Sequence, residues 1–90
     1  MVSQIVEVKN ASGLHARPAN VFVKEALSHK GCKITFKKEG EDRVFQARSM
    51  VSVLQAVVKC GTRIEIFAEG EDEEAALQAM VEAVASGLGE

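Results

Sequence analysis

An α+β sandwich of two layers is the architecture that this 90-residue chain should adopt. Runs of alternating apolar residues and runs with helical spacing follow one another in the order β-α-β-β-α-β-α. Each strand-like run carries one apolar face, which calls for helices on one side of a sheet and leaves the other side to water. The length suits one small core, and no linker interrupts residues 1–90, so they are read as a single domain. Strand direction does not follow from the pattern.

The elements are justified in order. Residues 4–9, QIVEVK, are rich in β-formers and put Val6 and Val8 on one face, Ile5 and Glu7 on the other. Residues 10–13 are a turn cluster. From Pro18 the period becomes helical: Pro18, Ala19, Phe22, Val23, Ala26 and Leu27 fill one side, while Arg17, Asn20, Lys24 and Ser28 line the other. His29, Lys30 and Gly31 end that helix with a cationic turn and a glycine. Residues 32–37, CKITFK, and 43–48, RVFQAR, read as two strands joined by the 38–42 loop. Ser49 opens a second helix expected to reach Lys59, with Cys60 and Gly61 as its stop. Residues 63–68, RIEIFA, alternate as a strand, and 70–72 turn the chain, with Asp72 as N-cap. Leu77, Met80, Val81 and Val84 mark a last helix before Gly87.

Composition narrows the function classes. Eleven basic and 13 acidic residues leave a net charge of −2, which offers no field for nucleic acid or an anionic membrane. Tyr and Trp are absent and there are 4 Phe, too few to build a platform for stacking bases. No apolar run is long enough to span a bilayer and no signal-like start is present, so a cytoplasmic protein is expected. Cys32 and Cys60 share no metal-ligand spacing and read as free thiols.

The stretch SGLHARPAN, residues 12–20, holds the candidate chemistry. Gly13 permits a sharp turn, and Pro18 suits a first helical turn, where its missing N–H costs nothing and its fixed φ fits helix entry. His15 is thereby placed at a helix N-terminus, beside free backbone N–H groups and the positive end of the dipole, a setting that favours anions. Arg17 adds a permanent cation whose donors match phosphate oxygens. A neutral imidazole is a nucleophile, and a phosphoryl is the group whose charge these surroundings neutralise. A turn histidine and a solvated arginine are the plain alternative, yet nothing structural requires that pair here. His29 lies at the far end of the helix and no Cys or carboxylate pair completes a metal set, so no metal is expected. An acyl-transfer triad lacks a placed nucleophile and a pocket.

GLHARPA followed by FVKEA, then ARSM opening a second helix, then AEGEDEE before the last one, resembles the HPr family over essentially the whole chain. These are the histidine-containing phosphocarriers of the bacterial phosphoenolpyruvate-dependent sugar phosphotransferase system. The resemblance implies an open-faced β-sandwich, four antiparallel strands with three helices on one face. It implies that enzyme I phosphorylates His15 on Nδ1 and that the group passes to enzyme IIA domains. Arg17 would be the charge partner, with the Ala16 and Arg17 N–H groups as cradle. A carrier of this kind has no turnover of its own, needs no cofactor and is expected to work as a monomer.

The second helix carries more apolar residues than one buried face needs: Met50, Val51, Val53, Leu54, Val57 and Val58 spread well beyond a stripe of about 100°. In a thin domain the excess reads as a docking surface. By resemblance Met50, Val51 and Leu54 face both enzyme I and the IIA domains, with Asn20 and Lys24 as a polar and basic rim. Ser49 is a good N-cap, and by resemblance it also stands where an HPr kinase/phosphorylase modifies many family members, creating a ligand for a transcription regulator. Two alternatives remain: an HPr-like regulatory module acting through phospho-Ser49, and a relative dedicated to fructose or nitrogen signalling. A small His-dependent phosphatase lacks a second catalytic group.

Overall fold

Alternation decides which side of each strand is covered. The computed structural model describes residues 1–90. Strands β1 (Val2–Glu7), β2 (Cys32–Lys38), β3 (Phe45–Gln46) and β4 (Arg63–Gly70) form one sheet in the order β1-β4-β2-β3, antiparallel at every junction. Register sets Ile34 opposite Ala68, Phe36 opposite Ile66 and Val6 opposite Ile64. Ile34, Phe36, Ile64, Ile66 and Ala68 are fully buried on this face. The intervening residues form the uncovered face, where Lys33 stands opposite Glu69 and Lys37 opposite Glu65, favourable cross-strand pairs of opposite charge.

Helices α1 (Ala16–Ser28), α2 (Met50–Ala56) and α3 (Glu73–Ala85) occupy the apolar face. Pro18, Ala19, Phe22, Val23 and Ala26 are the buried stripe of α1. Phe22 meets Phe36 edge-on with ring centroids 5.4 Å apart, and Phe36 stacks on Phe45 at 5.5 Å. These three rings bolt α1 to β2 and β3. In α3, Leu77, Met80 and Val84 face the core. The four-stranded antiparallel sheet with three helices agrees with the two-layer sandwich read from the pattern and with the open-faced, antiparallel form that the resemblance implies.

Several expected boundaries move. β1 runs from Val2 to Glu7, because Val2 and Ser3 also pair with β4, and Val8 is buried just past the strand. Leu27 is exposed, since five residues already complete the apolar stripe of α1. The strand expected over 43–48 shrinks to Phe45–Gln46. Its cause is the helix that follows: the Gln46 N–H donates to Ser52 Oγ at 2.8 Å and the Ser49 N–H to the Gln46 carbonyl at 3.2 Å, turning the chain into α2. Arg43, expected in that strand, instead lays its guanidinium 4.8 Å over the Phe45 ring. Helix α2 stops at Ala56 rather than Lys59, because Val57 adopts a left-handed backbone, φ 51°. That turn sends Val58 inward, where it is buried. Asp72 is the N-cap residue of α3 by position, but its side chain caps nothing. Glu73, the first residue of α3, reaches back instead and accepts the Gly70 N–H at the end of β4 at 3.3 Å, and this bond is the main reason its carboxyl lies below the usual carboxylate range.

Cys32 is buried and Cys60 exposed, both free thiols, and burial pushes the Cys32 thiol up. No helix is long and apolar enough to cross a membrane.

The three stacked rings make a direct test. Phe36→Ala should destabilise the chain by about 3–5 kcal/mol in urea unfolding, whereas Leu27→Ala should cost about 0.5 kcal/mol or less.

Candidate functional site

The turn over 10–14 is tied down from both sides. Asn10, itself buried, donates from Nδ2 to the Gly13 carbonyl at 2.8 Å, and the Gly13 N–H returns to the Asn10 carbonyl at 3.1 Å. The Leu14 N–H donates to the Val58 carbonyl at 2.9 Å while the Leu14 side chain fills the core. Gly13 makes that approach possible: its φ is +63°, and a Cβ there would stand 2.2 Å from the Val58 oxygen.

With Leu14 turned inward, His15 is turned out. It is exposed and is the N-cap residue of α1, in extended backbone (φ −144°, ψ 154°), and its ring caps no backbone N–H. The imidazole is therefore left free at the helix entrance. Ala16, the first helical residue, has φ 55°, a left-handed conformation that costs a non-glycine residue about 1–2 kcal/mol. The N–H groups of Ala16 and Arg17 belong to the first turn, which has no helical acceptors, and Pro18 contributes no N–H there. Arg17 is exposed and forms no ion pair with the chain's own carboxylates. The turn thus sets an unengaged imidazole, two free donors and an unpaired guanidinium at one helix end.

A shallow groove runs from His15 toward α2, lined by Ser12, Leu14, Leu54, Val57, Val58 and Lys59. Leu54 is 42 % exposed, Val51 67 % and Val57 60 %, with Met50 half-buried at the other end of the helix. Of the expected docking residues, the structure brings Leu54 into the groove with His15 and leaves Met50 and Val51 on the same short helix beyond it. Asn20 and Lys24 lie exposed along α1, and neither lines the groove. Val57, part of the wide apolar arc read from the sequence, and Lys59, expected only as the end of a longer helix, do line it. The exposure of Val57 follows from its left-handed backbone, which a β-branched residue does not advertise.

Ser49 is the N-cap of α2, and its Oγ accepts the Ser52 N–H at 3.3 Å. Five residues at 1.5 Å rise put it about 7.5 Å along the helix from Leu54, where the groove begins. Nowhere do three His, Cys, Asp or Glu side chains gather in a way that would hold a metal ion.

Two substitutions probe the clamp. Gly13→Ala should destabilise the chain by about 2–3 kcal/mol, because strain and the Val58 carbonyl both oppose a methyl there. Val57→Gly should stabilise it by about 1 kcal/mol, by releasing a strained φ at an exposed position. Thermal melts of both variants decide.

The family model described as PTS HPr component phosphorylation site matches residues 2–86. Phosphocarrier protein HPr of Streptomyces coelicolor is 39% identical over 90 residues, covering 100% of this chain and 95% of that one. HPr-like protein Crh of Bacillus subtilis is 38% identical over 78 residues, 87% of this chain and 88% of that protein. A multiphosphoryl transfer protein of Vibrio cholerae is 40% identical over 83 residues, 92% of this chain but only 21% of that protein. Among solved structures, HPr-C-His from Thermoanaerobacter tengcongensis superposes with a TM-score of 0.91 at 37% identity, covering 100% of this chain and 98% of that one. With the overall fold matching as well, these similarities show that the chain belongs to the HPr family of phosphocarriers of the phosphotransferase system.

Proposed function

We propose that His15 accepts a phosphoryl group from phosphorylated enzyme I and hands it to enzyme IIA domains of sugar permeases. The carrying observation is the exposed, unengaged imidazole at the entrance of α1, with Arg17 unpaired in the same turn. Nδ1 attacks the phosphorus, the bond to the donor breaks, and the proton stays on Nε2. The Ala16 and Arg17 N–H groups and the Arg17 guanidinium meet the charge on the phosphoryl oxygens. A carrier must also release its cargo, and an open groove suits a site that a partner completes in each half-reaction. Met50, Val51 and Leu54 form the apolar part of the partner surface, Asn20 and Lys24 its polar rim. The work is cytoplasmic and each half-reaction has a protein substrate, so the chain is a carrier rather than an enzyme.

Incubation with enzyme I and labelled phosphoenolpyruvate, followed by mapping of acid-labile phosphate, tests the assignment. Label belongs on His15, and His15→Ala should abolish it while leaving the fold intact. Leu54→Ala should raise KM by about ten-fold with little change in kcat, because this side chain holds the partner rather than reacting. Label on any other residue overturns the reading.

Ser49 carries the regulatory part of the proposal, as the target of an HPr kinase/phosphorylase. A phosphate at the α2 N-cap brings roughly −1.5 to −2 charges beside Met50 and Val51, which must be desolvated on docking. Ser49→Asp should therefore slow acceptance at His15 without lowering the melting temperature, since Asp caps a helix as well as Ser. Full-speed acceptance would reduce Ser49 to a cap. The similarity to Crh favours one second reading, a regulatory module that binds a transcription regulator through phospho-Ser49. Efficient labelling of His15 argues against that as its only role.

A further inference from the structure

One carboxylate outside the residues discussed so far gathers three donors. Glu90 Oε1 accepts from the Ser12 N–H at 3.1 Å and from Asn10 Nδ2 at 3.2 Å, and Oε2 accepts from Ser12 Oγ at 2.7 Å. The two Ser12 bonds, then the Asn10 bond, hold its carboxyl below the usual carboxylate range. All three donors belong to the turn that presents His15, and the same Asn10 amide also holds the Gly13 carbonyl.

Glu90 reaches the turn on a folded-back segment. Past α3 the chain folds back, and Leu88, in left-handed backbone, is buried with its N–H on the Ala83 carbonyl at 3.2 Å. Gly89 then passes Val21 and Arg17, with room for a Cβ 3.7 Å from Arg17 Nε. Leu88 anchors the segment in the core, and Glu90 anchors the turn to the segment. The turn needs that second anchor. Gly13 is held at its N–H and its carbonyl and Leu14 at its N–H, but Ser12 has Glu90 alone for both its N–H and its hydroxyl. Further along the same turn Ala16 stands in left-handed backbone, a strained conformation that persists only where its surroundings hold it. Three donors on one carboxylate also keep a nearby negative charge occupied, and Arg17 stays unpaired.

We propose that Glu90 is a positioning residue for phosphoryl acceptance, fixing the 10–13 turn through Ser12 and Asn10 so that His15 meets its donor in one orientation. The proposal rests on the reading of His15 given above. It requires no contact between Glu90 and the phosphoryl group.

The test uses the full chain with phosphorylated enzyme I as donor. Glu90→Ala should lower kcat by about ten-fold with KM within about two-fold of wild type, because the docking surface is untouched. Glu90→Gln should recover most of the rate, since its amide oxygen still accepts from the Ser12 N–H and its NH2 group donates to Ser12 Oγ. Ser12→Ala should add nothing in the Glu90→Ala background, as expected of two residues acting through one contact. Amide exchange at Gly13 and Leu14 should accelerate in Glu90→Ala, a readout independent of phosphoryl chemistry. Wild-type kcat in Glu90→Ala, a loss confined to KM, failed rescue by Glu90→Gln, or unchanged exchange at Gly13 and Leu14 overturns the proposal. If the wild-type chain takes no phosphoryl from enzyme I, the reading of His15 falls, and the exchange rates alone judge whether Glu90 holds the turn.

Discussion

The hydrogen bond from the Leu14 N–H to the Val58 carbonyl joins two irregular stretches, the exit of β1 and the exit of α2, and the site depends on it. It can form only because Gly13 lets the backbones approach and because Val57 turns the other chain inward. Once it forms, Leu14 must enter the core and the next residue must leave it. His15 is therefore exposed by the same geometry that buries its neighbour. The groove beside His15 has Leu54 and Val57 as its far wall for the same reason, since the chain that ends α2 is also the chain that holds the turn.

Most of the architecture was legible because burial in this chain follows period. Alternation in RIEIFA placed Ile64, Ile66 and Ala68 on one face, and the structure buries all three. Helical spacing in α1 named Pro18, Ala19, Phe22, Val23 and Ala26 correctly and overreached only at Leu27. Errors fell where a side-chain hydrogen bond overrode pattern. β3 is short because Ser52 Oγ takes the Gln46 N–H, and nothing in RVFQAR announces a serine six residues on. The early end of α2 was illegible for a different reason: a left-handed turn is normally signalled by glycine or asparagine, and valine signals the opposite.

The turn around His15 was legible in kind and incomplete in its supports. Glycine, proline and the change of period located the helix entrance, and the motif pointed to phosphoryl chemistry. Contacts that hold the turn were not readable, because they join residues distant in sequence. Ser12 meets a carboxylate 78 residues away, and Asn10 meets the same one. Local rules of spacing and capping reach only a few residues, so a tertiary carboxylate clamp lies outside them. Ser49 is the converse case, since a cap is a local contact and its bond to the Ser52 N–H follows from spacing alone.

The sheet order has a kinetic consequence. β1 and β2 are neighbours in sequence, yet each pairs with β4, which lies between them and comes late in the chain. Until residues 63–70 are available, β1 has no ladder at all and β2 has only the two-residue β3. Closing long loops must precede most of the pairing, which favours slow folding over a fast local route. During synthesis on the ribosome, the segment carrying His15 would emerge well before Val58 and Glu90, which hold its turn. An unfinished chain would then display the motif without the geometry, and the turn would take its shape only once the rest of the chain had folded.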